Sequence, residues 1–258
     1  MRFFLYHGSH QERREPMRQT ERTAIVLRYA NYRDNDRMLT LFSPTQGRIE
    51  ALARGCRKPR SPILNASELF ALGDFELYQK GAHLTVVSAQ MIETFYPLRA
   101  DFDRLSVGTY LLNVVENVVQ PGVPAQELFM LLLHTLSRLT FSDQPWRPLV
   151  AGFLLHLSAC EGFRPRLQHC VHCGKRMTDT ESAWFDHAEG GLVCYDCHLK
   201  AHTPVSAAQV RWMRTMLNVG SAGWVDTQDA IAPYTLLRNY VEVRLDKPVR
   251  AAAMLPRD

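Results

Sequence analysis

The chain has 258 residues, 46% of them hydrophobic, and a net charge of +4. That is length for two or three domains and apolar material for a real core. The longest unbroken apolar run is the six residues 128–133, far short of the ~18 that a membrane span requires, so the composition excludes a membrane-spanning role.

The charge is unevenly placed. Residues 18–60 hold ten Lys/Arg against four Asp/Glu, and residues 61–258 hold seventeen against twenty. The basic excess belongs to one N-terminal segment, as a polyanion-binding face requires. A merely solvated surface would show the same balance. Residues 1–20 read as an unstructured leader with Met17 as an alternative start, and no secretory pattern precedes the chain's first apolar segments. The expected compartment is therefore the cytoplasm. Cys56 and Cys160 are expected to be plain reduced thiols there.

From 21 to 98 the signals are those of strands. Residues 24–27 form an apolar run. In residues 37–42, Met38, Thr40 and Phe42 share one face. Pro44 and Gly47 frame a turn, since Pro fixes φ and Gly permits φ > 0. Residues 48–53 follow as a third strand, and residues 75–79 and 84–87 form a hairpin around Lys80-Gly81. Five short strands without a helical pattern predict a small barrel of the OB type. Such barrels hold single strands with a basic groove and stacked aromatics. Between strands three and four, residues 54–60 carry four basic side chains in seven positions. This predicts a flexible cationic loop with Arg54, Arg57, Lys58 and Arg60 on phosphates. Arg28, Arg33, Arg37 and Arg48 extend the patch. Tyr29, Tyr32 and Phe42 are candidate stacking residues, with barrel core as the preferred reading for Phe42.

From 99 to 258 the period is helical. Asp101 is an N-cap candidate, and Phe102, Leu105, Leu112, Val115 and Val119 recur on one face until Pro121-Gly122. Pro124 and Pro148 open two further helices, the second ending at Glu161-Gly162. His134 and His156 fall within the apolar stripes and read as core histidines. Ser206 and Gln209 form a capping box for a helix that Gly220 closes. Pro233 opens a last helix, which Pro248 stops.

Inside this helical domain, at 167–200, lie two Cys-x-x-Cys pairs: Cys170 with Cys173, and Cys194 with Cys197. Two residues between cysteines let a tight turn aim both sulfurs at one point. A second such turn, returned by a hairpin, completes four thiolates at about 2.3 Å from one Zn²⁺. Residues 183–186 and 192–193 fit the two strands of that hairpin. Four filled positions leave none for water, so the predicted metal is a structural staple, contributing on the order of 10 kcal/mol or more to folding. Disulfides or a redox pair are the alternatives, and His169, His172 and His198 stand near enough to the cysteines for a Cys₃His set. The fold class is thus α+β and multidomain: an OB-type barrel, then a mostly helical domain with an inserted four-cysteine zinc hairpin. No His-Glu-x-x-His, phosphate-binding loop or nucleophile elbow is present, and nothing in the chain argues for catalysis.

The run Glu161-Gly-Phe-Arg-Pro165-x-Leu167-x-x-Cys170-x-x-Cys173-Gly174, followed by Gly190-Gly191-Leu192-x-Cys194-x-x-Cys197, resembles the RecO family of bacterial recombination mediators. Gly47-Arg48-x-x-x-x-Ala53-Arg54-Gly55-x-Arg57 is similar to that family's third strand and basic loop. The resemblance covers about residues 23–245. It implies non-enzymatic work: binding single- and double-stranded DNA, annealing complementary strands, and helping RecA displace single-strand-binding protein together with RecR. Many relatives carry a base just before the Phe of the third helix, where the acidic tail of single-strand-binding protein is expected. Here Ala151-Gly152 precede Phe153, and Arg147 with Arg138 are the bases assigned to that role. The rival reading is a zinc-ribbon and OB module binding RNA or protein in transcription or translation. A metal hydrolase is a third, and four cysteines argue against its open metal position.

Overall fold

The structure, a computed structural model, describes residues 19–178, 183–219, 231–245 and 248–256. Residues 1–18 of the predicted leader and the helix stop at Gly220 lie outside the described residues, while the leader's last two residues, Gln19 and Thr20, open the first strand. Strands β1 (Gln19–Tyr32), β2 (Asp36–Ser43), β3 (Gly47–Ala53), β4 (Leu72–Lys80) and β5 (His83–Glu93) close a barrel in the order β1-β2-β3-β5-β4. All neighbours are antiparallel except β3 and β5, which run parallel with Ala51 opposite Leu84. This is an OB-like barrel.

The run at 24–27 is continuous because β1 is covered on both faces. Ala24 and Val26 join Leu39, Leu41, Ala51, Phe75 and Leu77 inside the barrel. Ile25 and Leu27 instead join Phe42, Phe70 and Leu72 in a core shared with the helices. Phe42 is therefore core, edge-on to Phe129 at 5.3 Å.

The helical part comprises α1 (Tyr96–Ala100), α2 (Phe102–Val118), α3 (Gln126–Phe141), α4 (Trp146–Cys160), α5 (Ala207–Val219) and α6 (Tyr234–Arg244). Asp101 caps α2 by accepting from Arg104 N–H at 2.9 Å. At α5 the capping box is reciprocal: Gln209 N–H donates to Ser206 Oγ at 3.2 Å, and Ser206 N–H donates to Gln209 Oε1 at 3.1 Å. Between α4 and α5 lies a small sheet of β6 (Ala183–Asp186), β7 (Gly191–Val193) and β8 (Thr203–Val205), in the order β7-β6-β8. Phe185, Leu192 and Val193 seat this sheet in the helical core, where Phe185 meets Tyr240 of α6 at 5.2 Å. No helix among the described residues is long and apolar enough to cross a membrane.

Candidate nucleic-acid interface and metal centre

The outer face of β2 passes from the helical core at Phe42 to open surface at Met38. There a groove of about 1110 Å³ runs between the β1–β2 turn, β3 and the β4–β5 hairpin. Its volume lies just above the ~300–1,000 Å³ of small-ligand pockets, which leaves room for an extended chain. Apolar and aromatic surface lines the floor through Met38, Leu52, Leu84, Val87, Tyr32 and Tyr78; Arg33, Arg54 and Lys80 supply cations, and His83 and one acid, Glu50, also line it. OB-folds bind oligonucleotides on this face, between these same two connections. Tyr32 is exposed, with the Arg33 guanidinium 5.2 Å from its ring centroid. Tyr78, Lys80 and His83 were missed in the sequence. The signal available for them was the hairpin turn at Lys80-Gly81, which an OB topology carries to the groove rim.

The basic loop is held rather than loose. Cys56 is fully buried among the barrel's interior side chains. Gly55 N–H donates to Asp36 Oδ1 at 2.8 Å, and Arg57 N–H donates to Asn35 O at 3.1 Å. The flexible loop expected from its Gly and Pro is thus tied to the β1–β2 turn.

The eight predicted DNA contacts do not form one patch. Arg33 and Arg54 line the groove, and with Lys58 they also line an adjoining polar cleft. Arg57 turns Nη1 to Asp34 O at 3.1 Å, and Arg60 stands exposed on the loop. Arg28 pairs with Glu116 of α2 at 2.7 Å, and that hydrogen bond raises the guanidinium above its ordinary value. Arg37 bonds Glu68 and Ser67 O, each at 2.8 Å, and lies over the Tyr29 ring at 3.8 Å. Arg48 is half-buried, and its backbone N–H donates to Gln120 O at 3.1 Å. Tyr29 is therefore taken up by Arg37, while Tyr32 remains open to a base.

In the metal centre, the four sulfurs of Cys170, Cys173, Cys194 and Cys197 lie within 4.8 Å of one another. Cys173 and Cys194 stand 3.7 Å apart. That is too long for a disulfide, whose S–S length is about 2.05 Å. It fits a tetrahedron edge, since ligands about 2.3 Å from one ion lie roughly 3.8 Å apart. Burial alone would push the Cys170 thiol up. The backbone N–H groups of Cys194, Cys173 and His172 outweigh it and bring the thiol down to about 6. Cys197 is pushed up to about 12, chiefly by the crowding sulfurs of Cys173 and Cys194. Four sulfurs this close would repel one another as thiolates, and a cation held among them removes that repulsion.

Of the three histidines offered by the sequence, His172 and His198 take other partners, and His169 stands exposed. His198 bonds Tyr195 O through Nδ1 at 2.6 Å and stacks on Trp184 at 4.0 Å. His172 and His202 both reach Asp186 Oδ2, at 3.1 and 3.2 Å. These two histidines and Asp186 form a second cluster of possible ligands, but the hydrogen bonds make it a brace. Leu199 N–H donates to His202 Nδ1 at 3.1 Å, so the proton of the neutral ring sits on Nε2 and points at the carboxylate. Asp186 Oδ1 accepts from Ala188 N–H and Glu189 N–H at 2.9 and 3.1 Å. Burial would push the Asp186 carboxyl up, but those N–H groups and the two imidazoles outweigh it and hold it below the ordinary value.

Arg138 and Arg147 occupy different settings. Arg138 Nε lies 3.2 Å from His134 Nε2, on its own helix. Arg147 lies over the Trp146 ring at 4.7 Å and lines a cleft with Trp146, Tyr234, Arg238 and Leu255. Trp146 and Tyr234 meet edge-on at 5.1 Å.

Two family profiles match the chain. "Recombination protein O N terminal" covers residues 17–95 and "Recombination protein O C terminal" covers residues 99–252. The chain is 37% identical over 174 residues to the DNA repair protein RecO of Alkaliphilus metalliredigens, covering 67% of this chain and 70% of that one. It is 32% identical over 241 residues to RecO of Pelotomaculum thermopropionicum, covering 91% and 92%. With RecO of Desulforamulus reducens the identity is 30% over 244 residues, covering 91% and 93%.

Proposed function

The chain belongs to the RecO family of DNA repair proteins, and from that premise we propose that it is a non-catalytic mediator of recombinational repair. In this role it binds single- and double-stranded DNA, anneals complementary strands, and assists RecA loading onto strands coated by single-strand-binding protein, acting with RecR. Its place is the cytoplasm, at the nucleoid during repair. The observation that carries this reading is the groove, whose apolar and aromatic floor lies beneath Arg33, Arg54 and Lys80. Bases stack on aromatic faces whatever their identity, and the cations neutralise phosphates, so strands bind without sequence being read. Annealing then requires only that two strands be held close with their repulsion screened.

Zinc is the metal that best suits four thiolates at this spacing. Cys170, Cys173, Cys194 and Cys197 would hold it, and its chemistry there is structural. The cleft beside Arg147 supports a partner contact. Two guanidiniums, Arg147 and Arg238, flank the aromatic pair Trp146 and Tyr234, a combination suited to an acidic peptide ending in a bulky apolar side chain, as expected for the tail of single-strand-binding protein. Arg138 is the second base proposed for that contact.

The test is fluorescence-monitored annealing of two complementary oligonucleotides, bare and coated with single-strand-binding protein, across a salt series. Acceleration that declines as salt rises is expected. Arg54→Ala with Lys58→Ala should weaken binding roughly tenfold at moderate salt and flatten the salt dependence by about one phosphate contact per residue. No acceleration, with binding to neither strand, sinks the reading.

A further inference from the structure

Beside the groove lies a smaller cleft lined by Arg33, Asp34, Asn35, Asp36, Arg54, Gly55 and Lys58. Every side chain in it is polar or charged, so it lacks the aromatic surface on which the groove would stack a base. The three cations suit a phosphate, and Arg33 and Arg54 line both spaces. A strand whose bases lie on the groove floor therefore has a place for its backbone immediately to the side. The two carboxylates are the anomaly. An acidic side chain beside a phosphate opposes binding by Coulomb repulsion, and Asp36 stands at this cleft as the residue paired with Tyr32 across the hairpin.

The hydrogen bonds supply a reason. Asp36 Oδ1 accepts the Gly55 N–H at 2.8 Å. Gly55 has φ +63°, a left-handed conformation that glycine takes without strain, and its carbonyl accepts from Lys58 N–H at 3.2 Å. The Asp36 carboxylate thus fixes the peptide at the corner of the loop, between Arg54 and the turn that carries Lys58. Cys56, fully buried, anchors the next residue, and Arg57 is drawn back to the Asp34 carbonyl. On the opposite wall Arg33 is itself held at φ +55°.

Resting on the reading of this barrel as the DNA-binding face, we propose that Asp36 is a positioning residue for DNA. It holds the 54–58 loop so that Arg33, Arg54 and Lys58 converge on one backbone phosphate, and it raises affinity in spite of its own negative charge. Without that bond the loop corner is free to turn, and Arg54 and Lys58 must be ordered as the strand binds.

The sign of the effect is the test. Charge alone predicts that removing any acid here tightens binding. Positioning predicts that Asp36→Ala, which removes the acceptor, weakens binding of a single-stranded oligonucleotide by about threefold or more, and lowers the log–log salt slope by about 0.7 for the lost contact. Asp36→Asn keeps an oxygen for Gly55 N–H while removing the charge, so it should bind as tightly as wild type or more tightly. Thermal unfolding checks that each variant is folded. If Asp36→Ala does not fold, Asp36→Ser, too short to reach Gly55, stands in for it. Equal tightening by both variants, or no change in either, overturns the proposal. The parent reading is tested separately: if Arg54→Ala with Lys58→Ala leaves affinity intact, the groove assignment fails. If that pair weakens binding and Asp36→Ala does not, only the positioning role fails.

Discussion

His156 sits within α4, almost wholly enclosed, and burial, reinforced by the nearby Arg164 charge, pulls its imidazole down to about 4. An unfolded histidine titrates near 6.5. As pH falls, the unfolded chain takes up this proton first. The stabilisation from keeping His156 neutral is whole above about pH 6.5, declines below it, and is exhausted near pH 4, amounting to about 3 kcal/mol at most. Thermal unfolding midpoints for wild type and His156→Gln between pH 7 and 4.5 check this: the wild type should lose more stability with acid than the variant, and parallel profiles would refute it. At this scale the sequence was legible wherever the partner is local. The core reading of His156 and Phe42, the Asp101 cap and the Ser206–Gln209 box all follow from neighbours within a turn or from an apolar stripe. The arginines were not legible in that way. A run of positive charge shows that a face is basic but not where each guanidinium turns. The Arg28 partner Glu116 lies 88 residues further on, and Arg37 turns inward to Glu68, 31 residues away. Only the fold separates these from Arg33, Arg54 and Lys58.

The four-cysteine hairpin is the element that the sequence described most fully. Cysteine spacing and strand alternation are both local, so β6, its turn and β7 fall where the pattern put them. The third strand, β8, was hidden because it is three residues long with Pro204 in its middle, and Pro97 obscured the short α1. The Asp186 brace was invisible too, since it joins residues from three separate segments. This arrangement predicts a hierarchy of losses. Wild type should carry about one zinc per chain. Cys194→Ser or prolonged chelation should empty the site and lower the thermal midpoint, exposing Phe185, Leu192 and Val193, which now lie in the helical core, and causing aggregation. Asp186→Ala keeps all four sulfurs but releases the Ala188, Glu189, His172 and His202 contacts, so it should retain zinc yet lose it faster to a chelator. Metal analysis with a timed chelator challenge reads both. A folded Cys194→Ser protein with an unchanged midpoint, or Asp186→Ala releasing zinc at the wild-type rate, would contradict the scheme.

At the scale of the molecule, the barrel keeps its own interior core but lends one face to the helical core, and the two parts meet at one backbone junction. Ile25, Leu27, Phe42, Phe70 and Leu72 of the barrel segment belong to the same buried cluster as the helical residues. The connection between α2 and α3 docks on the β2–β3 turn through main-chain bonds: Arg48 N–H to Gln120 O at 3.1 Å, Gly122 N–H to Gln46 O at 2.8 Å, and Ala125 N–H to Pro44 O at 2.9 Å. Gly47 is at the centre of this contact with φ +60°, and a Cβ there would meet Gln120 O at 2.1 Å and Val123 O at 2.6 Å. Both obstacles are backbone, so neither can swing aside. The turn reading of Gly47 was available from the sequence, whereas the close approach of residues 120–123 was not, because it is made across the two halves of the chain. Gly47→Ala should therefore cost more than a surface turn substitution, at least about 2 kcal/mol, or about 4–8 °C for a chain of this length. Because one face of the barrel is built into the helical core and the junction ties the two parts, wild type should unfold in a single calorimetric transition and Gly47→Ala should move that whole transition down. Two separate transitions in the wild type, with only one shifted by Gly47→Ala, would mean that the barrel and the helical part fold independently, and that the Arg28–Glu116 pair and the Gly47 junction only align two autonomous units.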